Sequence, residues 1–105
     1  CFQVIITTPP DHEFKTMAEQ RENAFIKAKD SIPSETEKQV LSYYAKDKSI
    51  NANAIPQETL KKLKENAGEY SKLGIIEQEY YLIDNSAVLI YRIYKKGIKN
   101  EILNK

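Results

Sequence analysis

The chain has 105 residues, a formal net charge of +1 and a single cysteine, with 30% of its residues charged and 41% hydrophobic. That length can bury one modest core, so a single domain spanning residues 1–105 is expected. Near-neutral charge excludes a general electrostatic attraction to nucleic acid, and a lone cysteine excludes an intrachain disulfide or a thiolate zinc cluster.

The chain begins at Cys1. Cleavage of a bacterial lipoprotein signal peptide leaves a cysteine in this position, already carrying its lipid. Cys1 is therefore the expected lipid-attachment residue, with palmitate among its acyl chains, and the bacterial cell envelope is the expected location. A soluble domain trimmed to this residue is the alternative. The apolar stretch at Phe2–Ile6 falls far short of the roughly 20 residues a membrane-spanning helix needs.

Phe2 to Thr7 is rich in β-branched and aromatic residues and predicts a short strand. Thr7-Thr8-Pro9-Pro10 stops it, because two prolines supply no backbone N–H and favour a stiff extended link. Residues 1–10 thus read as a strand and link. Asp11 has the chemistry of a helix N-cap. Apolar residues at Phe14, Met17, Ala18, Phe25, Ala28 and Ile32 recur at helical spacing, and Pro33 is expected to end that helix. Ser34-Glu35-Thr36-Glu37 has the pattern of a capping box for a second helix, with Val40, Leu41 and Tyr44 on its buried side and an end near Lys46 to Lys48. Pro56 fits the first position of a third helix, and Gly68 its C-cap. Leu60, Leu63, Ala67 and Tyr70 form its stripe. The helical part is expected over residues 11–72.

After Gly74 the period changes. Ile75–Ile83 and Val88–Tyr94 are dense in Ile, Val, Leu and Tyr, and Asp84-Asn85-Ser86 between them tolerates turn geometry. This predicts an antiparallel hairpin. Leu89, Tyr91 and Ile93 make one apolar face; Val88, Ile90 and Tyr94 make another, interrupted by Arg92. Lys95-Lys96-Gly97 reads as a second turn, and Ile98, Ile102 and Leu103 as a third strand, so that residues 75–103 form a C-terminal meander. The expected class is α+β, with three helices packed on one face of a small antiparallel sheet.

Chemistry-bearing constellations are few. His12 is the only histidine and has no second histidine for a metal; Asp11, His12 and Glu13 diverge around a helix start. Neither a serine in a nucleophile elbow nor a phosphate-cradling glycine loop is present. Glu77 and Glu79, two apart on a strand, read as charges that discourage sheet-edge pairing. No catalytic activity, metal or cofactor is expected. Tyr80, Tyr81 and Tyr94 lie on the hairpin with Arg92 among them. Tyrosine packs well in strands and also serves protein contact, because its ring is amphipathic and its hydroxyl bonds. These four residues are the candidate partner-binding surface.

The stretch Glu-Gln-Glu-Tyr-Tyr-Leu-Ile-Asp-Asn-Ser-Ala-Val-Leu-Ile-Tyr-Arg-Ile-Tyr-Lys-Lys-Gly at 77–97, behind a lysine-rich helix, resembles small bacterial lipoproteins of the nuclear-transport-factor-like (cystatin-like) class. The resemblance covers about half the chain, from Ile55 to Glu101, and carries over no functional residue. The chain departs from that class in lacking a final strand with a Trp and in having the extra strand at Phe2–Ile6. It implies a cell-envelope protein whose sheet holds a ligand or partner. The expected function is non-catalytic binding of another envelope or membrane protein, as an accessory of a secretion or conjugation apparatus or as an exclusion factor. One alternative is a small-molecule-binding or enzymatic domain with a pocket lined by Tyr44, Tyr91 and Ile93. A more distant one is a nucleic-acid-binding sheet using Tyr80, Arg92 and Tyr94, although no nucleic acid is expected as partner.

Overall fold

The computed structural model describes residues 1–104. Its first strand, β1 (Phe2–Thr8), follows from strict alternation: Phe2, Val4 and Ile6 are buried, while Gln3, Ile5 and Thr7 are exposed. The chain then passes through Pro9-Pro10 into a turn, where Asp11 Oδ1 accepts from the Glu13 N–H at 3.0 Å. Asp11 therefore closes a turn and does not open a helix. Helix α1 (Met17–Asp30) starts six residues later, and Thr16 is its N-cap, accepting from the Glu19 N–H at 3.1 Å. The Thr16 hydroxyl in turn donates to the Glu19 carboxylate at 2.9 Å. The expected cap was Asp11; Thr16 takes that role instead, its hydroxyl bonded to both the backbone N–H and the carboxylate of Glu19.

Helix α2 (Ile32–Asp47) follows with Ser31 alone between the two helices. Pro33 does not lie beyond a helix end: it sits in the first turn of α2, where its missing N–H costs nothing. The expected Ser34–Glu37 capping box does not form. Ser34 is already inside the helix, and its hydroxyl donates to the Ser31 carbonyl at 3.1 Å. A short 3₁₀ turn at Ala52–Ala54 leads to α3 (Gln57–Tyr70). Pro56 is its N-cap, one position before the expected one. The helix runs through Gly68 to a cap at Ser71.

Strands β2 (Gly74–Tyr81) and β3 (Ala87–Ile93) form the expected hairpin. Asn85 takes the left-handed conformation with φ 71°, and Asp84 Oδ1 accepts from the Ser86 N–H at 3.0 Å. Residues 98–103 are not a strand. They form a fourth helix, α4 (Ile98–Leu103), entered through Gly97 at φ 75°. Ile98 and Ile102 are its buried residues, and their spacing of four is helical. The third strand of the sheet is β1, which pairs antiparallel with β3 from Phe2↔Ile93 to Thr8↔Ala87. The strand order is β1-β3-β2.

Register fixes which side chains meet the helices. Phe2, Val4 and Ile6 line up with Ile93, Tyr91 and Leu89, and this face is buried under α1 and α2. Helix α3 packs mainly on α2, and α4 also contacts α2. The class is α+β, as expected: α1 and α2 lie against the sheet, and α3 packs mainly on α2 while its Leu63, Ala67 and Tyr70 join the same core. The molecule is accordingly elongated, 47 × 27 × 20 Å, with a radius of gyration of 15.5 Å, against about 13 Å for a compact chain of this size.

Gly74 marks one close approach. A Cβ there would lie 2.6 Å from the Tyr91 ring. The absent side chain lets the Tyr91 hydroxyl accept from the Gly74 N–H at 3.0 Å and donate to the Ser71 carbonyl. This ties the end of α3 to the start of β2. The far end of the sheet is fastened by Asn85, which accepts from Arg21 Nε at 3.0 Å and donates to Gln20 Oε1 at 2.9 Å.

Candidate protein interface

A three-stranded sheet has two faces, and here only one meets the helices. Register places nine side chains on the other face in three rows: Ile75, Arg92 and Gln3; Gln78, Ile90 and Ile5; Tyr80, Val88 and Thr7. Ile5 is 56% exposed, Ile75 55%, Tyr80 47%, and Tyr94, just beyond β3, 59%. Large apolar side chains left exposed together on one sheet face mark a contact surface more often than they mark a defect.

Polar groups fix the shape of this surface. Arg92 Nε donates to Gln3 Oε1 at 2.9 Å, bridging β3 and β1 across the middle of one row. The Tyr94 hydroxyl donates to the Glu77 carboxylate, which pushes its pKa up. Glu77 sits at the irregularity between Ile76 and Gln78, where β2 carries one extra residue against β3.

The candidate residues from the sequence divide between the faces. Tyr80 and Arg92 lie on the open face, with Tyr94 at its margin. Tyr81 has the opposite parity and turns toward α1, where the Arg21 guanidinium lies 5.2 Å from its ring centre. Burial, followed by the charge of Glu79, raises the Tyr81 pKa. Ile5 and Ile75 were missed as surface residues. Their signal was parity: each alternates with residues that must face the core. Ile83, at the hairpin tip, is fully exposed.

The side chains suggested for a pocket, Tyr44, Tyr91 and Ile93, belong to the hydrophobic core. Cys1 is exposed and lies beside Lys95–Asn100. His12 is exposed, and among the described residues no group of three or more His, Cys, Asp or Glu could hold a metal ion. No helix among them is long and apolar enough to cross a membrane.

A second polar cluster secures α4. The Tyr70 hydroxyl donates to Glu101, and Lys95 Nζ donates to both oxygens of the same carboxylate at 3.1 and 2.9 Å. Lys95 also stands 5.3 Å from the Tyr70 ring centre. Burial, together with the adjacent carboxylate, pushes the Tyr70 pKa well above its ordinary value. The cluster joins α3, α4 and the end of β3.

No family model matches this sequence, and no curated protein or solved structure matches it.

Proposed function

We propose that this domain is a non-catalytic protein-binding module of the bacterial cell envelope, related to the nuclear-transport-factor-like lipoproteins it resembles, and that it binds through the open face of its sheet. The observation that supports this most is the set Ile5, Ile75, Tyr80 and Tyr94, all large, apolar or amphipathic, and all about half exposed or more around Arg92. Aromatic residues and arginine are the side chains that dominate binding energy at protein contacts. The fitting partner is a protein surface with apolar side chains for the isoleucines and tyrosines, and a carboxylate or carbonyl for the remaining guanidinium donors of Arg92. With an acyl chain on Cys1, the partner would be a membrane or envelope protein; mass spectrometry of the native protein tests that location separately.

The test is a photo-crosslinking amino acid placed in turn at Tyr80, Tyr94, Tyr81 and Glu58 in the native host. The expected result is one common adduct from Tyr80 and Tyr94 and none from Tyr81 or from Glu58 on α3. Adducts from Glu58 alone, or equal adducts from all four positions, would refute the open face as the binding surface.

A further inference from the structure

The two edges of the sheet are built differently. Edge strand β2 carries Glu77 and Glu79 and the irregularity between Ile76 and Gln78. Charges and bulges are what proteins use to prevent another strand from adding to an edge. Edge strand β1 has none of these. Its sequence, Phe-Gln-Val-Ile-Ile-Thr-Thr, has no charge, no proline and no glycine, and its register against β3 is unbroken over all seven residues. Among the described residues, the backbone of Phe2–Thr8 hydrogen-bonds to β3 alone. In an antiparallel ladder, alternate residues turn their N–H and C=O away from the partner, so β1 presents a row of these groups outward.

We propose that β1 pairs with β1 of a second copy of this chain, antiparallel and about a two-fold axis, to give a six-stranded sheet. The register that uses the whole strand is centred on Ile5. It sets Ile5 against Ile5 and Gln3 against Thr7 on the open face, with Val4 against Ile6 and Phe2 against Thr8 on the face toward the helices. A two-fold contact places each residue against its symmetry mate, so it must be self-complementary. β1 is: an uncharged strand brings no like charges together, and β-branched pairs across strands are favourable. β2 fails the same criterion. A two-fold pairing centred on Glu77 sets its carboxylate against its own copy, and one centred on Gln78 sets Glu77 against Glu79. The absence of a cap on β1 therefore selects both the edge and the partner. The two open faces become one continuous surface, with Ile5 at its middle.

A strand about 23 Å long, joined along its edge, buries less than the 1,200–2,000 Å² or so of a standard stable interface, so the dimer is reversible and its population depends on concentration. This inference does not depend on the partner proposed above. Sedimentation equilibrium of the full chain is expected to show a monomer–dimer equilibrium, and Ile5→Lys to raise its dissociation constant at least about fivefold by placing two ammonium groups together on the axis. Ile75→Lys, on the same face at the opposite edge, is expected to leave it unchanged. Both positions are exposed, so each variant keeps the fold, and a thermal melt verifies it. With Cys1→Ser, the further change Ile5→Cys is expected to yield a covalent dimer on mild oxidation, because facing residues of an antiparallel pair lie within disulfide reach; Ile75→Cys is expected to form no covalent dimer. A monomer at every concentration overturns the proposal. So does an equal loss of association in Ile5→Lys and Ile75→Lys, which would assign self-association to the sheet face.

Discussion

The two faces of the sheet are made from nearly the same side chains and have different surroundings. Toward the helices stand Phe2, Val4, Ile6, Leu89, Tyr91 and Ile93, each at most 5% exposed. On the other side stand Ile5, Ile75 and Tyr80, each about half exposed, around the partly buried Ile90 and Arg92, while Val88 in the central strand is covered. Composition does not separate these sets, since isoleucine, valine and tyrosine occur in both. What separates them is parity within each strand and the presence of α1 and α2 on one side only. Hydrophobic character alone thus says little about whether a residue holds this fold or is available to a partner.

Losses on the helix side should be the largest. Deleting residues 1–8 removes Phe2, Val4 and Ile6 from the core along with one edge of the sheet. At about 2–5 kcal/mol for each large buried side chain, that exceeds what a marginally stable domain can lose. The expected outcome is loss of the cooperative thermal transition by circular dichroism. A single truncation of the same face, Leu89→Ala, is expected to cost about 2–5 kcal/mol in urea unfolding.

Gly74→Ala is the next effect in size. The added methyl would meet the Tyr91 ring and, at 2.8 Å, the Arg92 carbonyl. Backbone cannot yield as a flexible side chain does, so a cost of about 1–3 kcal/mol is expected from overpacking. A melting temperature equal to that of the unaltered protein would show that β2 is less tightly held against β3 than the register implies.

A smaller effect concerns pH. Tyr70 is raised above the ordinary tyrosine pKa by burial and by Glu101. The folded state therefore holds the phenolic proton more tightly than the unfolded chain. The associated stability is complete below about pH 10, the unfolded value, and is lost as pH rises toward the folded one. Tyr70→Phe is expected to shrink the fall in melting temperature above pH 10 and to leave the slope near neutral pH unchanged. An unaltered alkaline limb would remove Tyr70 from that role.

Much of the fold was legible where local chemistry decides it. The alternation of Phe2–Thr7, the Asp84-Asn85-Ser86 turn, the end of α2 near Asp47 and the Leu89–Tyr91–Ile93 face are each properties of a few neighbouring residues. The failures have a shared cause: two local signals of similar strength, with tertiary contacts choosing between them. Asp11 and Thr16 both had capping chemistry, and α1 begins at the one whose hydroxyl bonds Glu19. Ile98, Ile102 and Leu103 were dense enough for a strand, but packing used the spacing of four. Pairing of β1 with β3 joins distant parts of the chain, from Phe2↔Ile93 to Thr8↔Ala87, and alternation in β1 predicts a strand without naming its neighbour. Of the candidate site, Tyr80, Arg92 and Tyr94 were legible from the hairpin. The second face of β3 was legible too, but its extension onto β1 through Ile5 was not, because the partner of β1 was not.

Adjacent residues on β1 provide the most direct test of the division between the faces. Val4 points to the core and Ile5 away from it. Threonine is β-branched at both positions, so Val4→Thr and Ile5→Thr alter strand preference little and differ mainly in which face receives the hydroxyl. In dilute solution, urea unfolding is expected to show Val4→Thr destabilised by about 1–3 kcal/mol, the cost of a buried hydroxyl without a partner, and Ile5→Thr changed by no more than about 0.5 kcal/mol. Equal losses from the two substitutions would mean that the outer face is covered within the domain itself, and would contradict its assignment as a surface open to a partner.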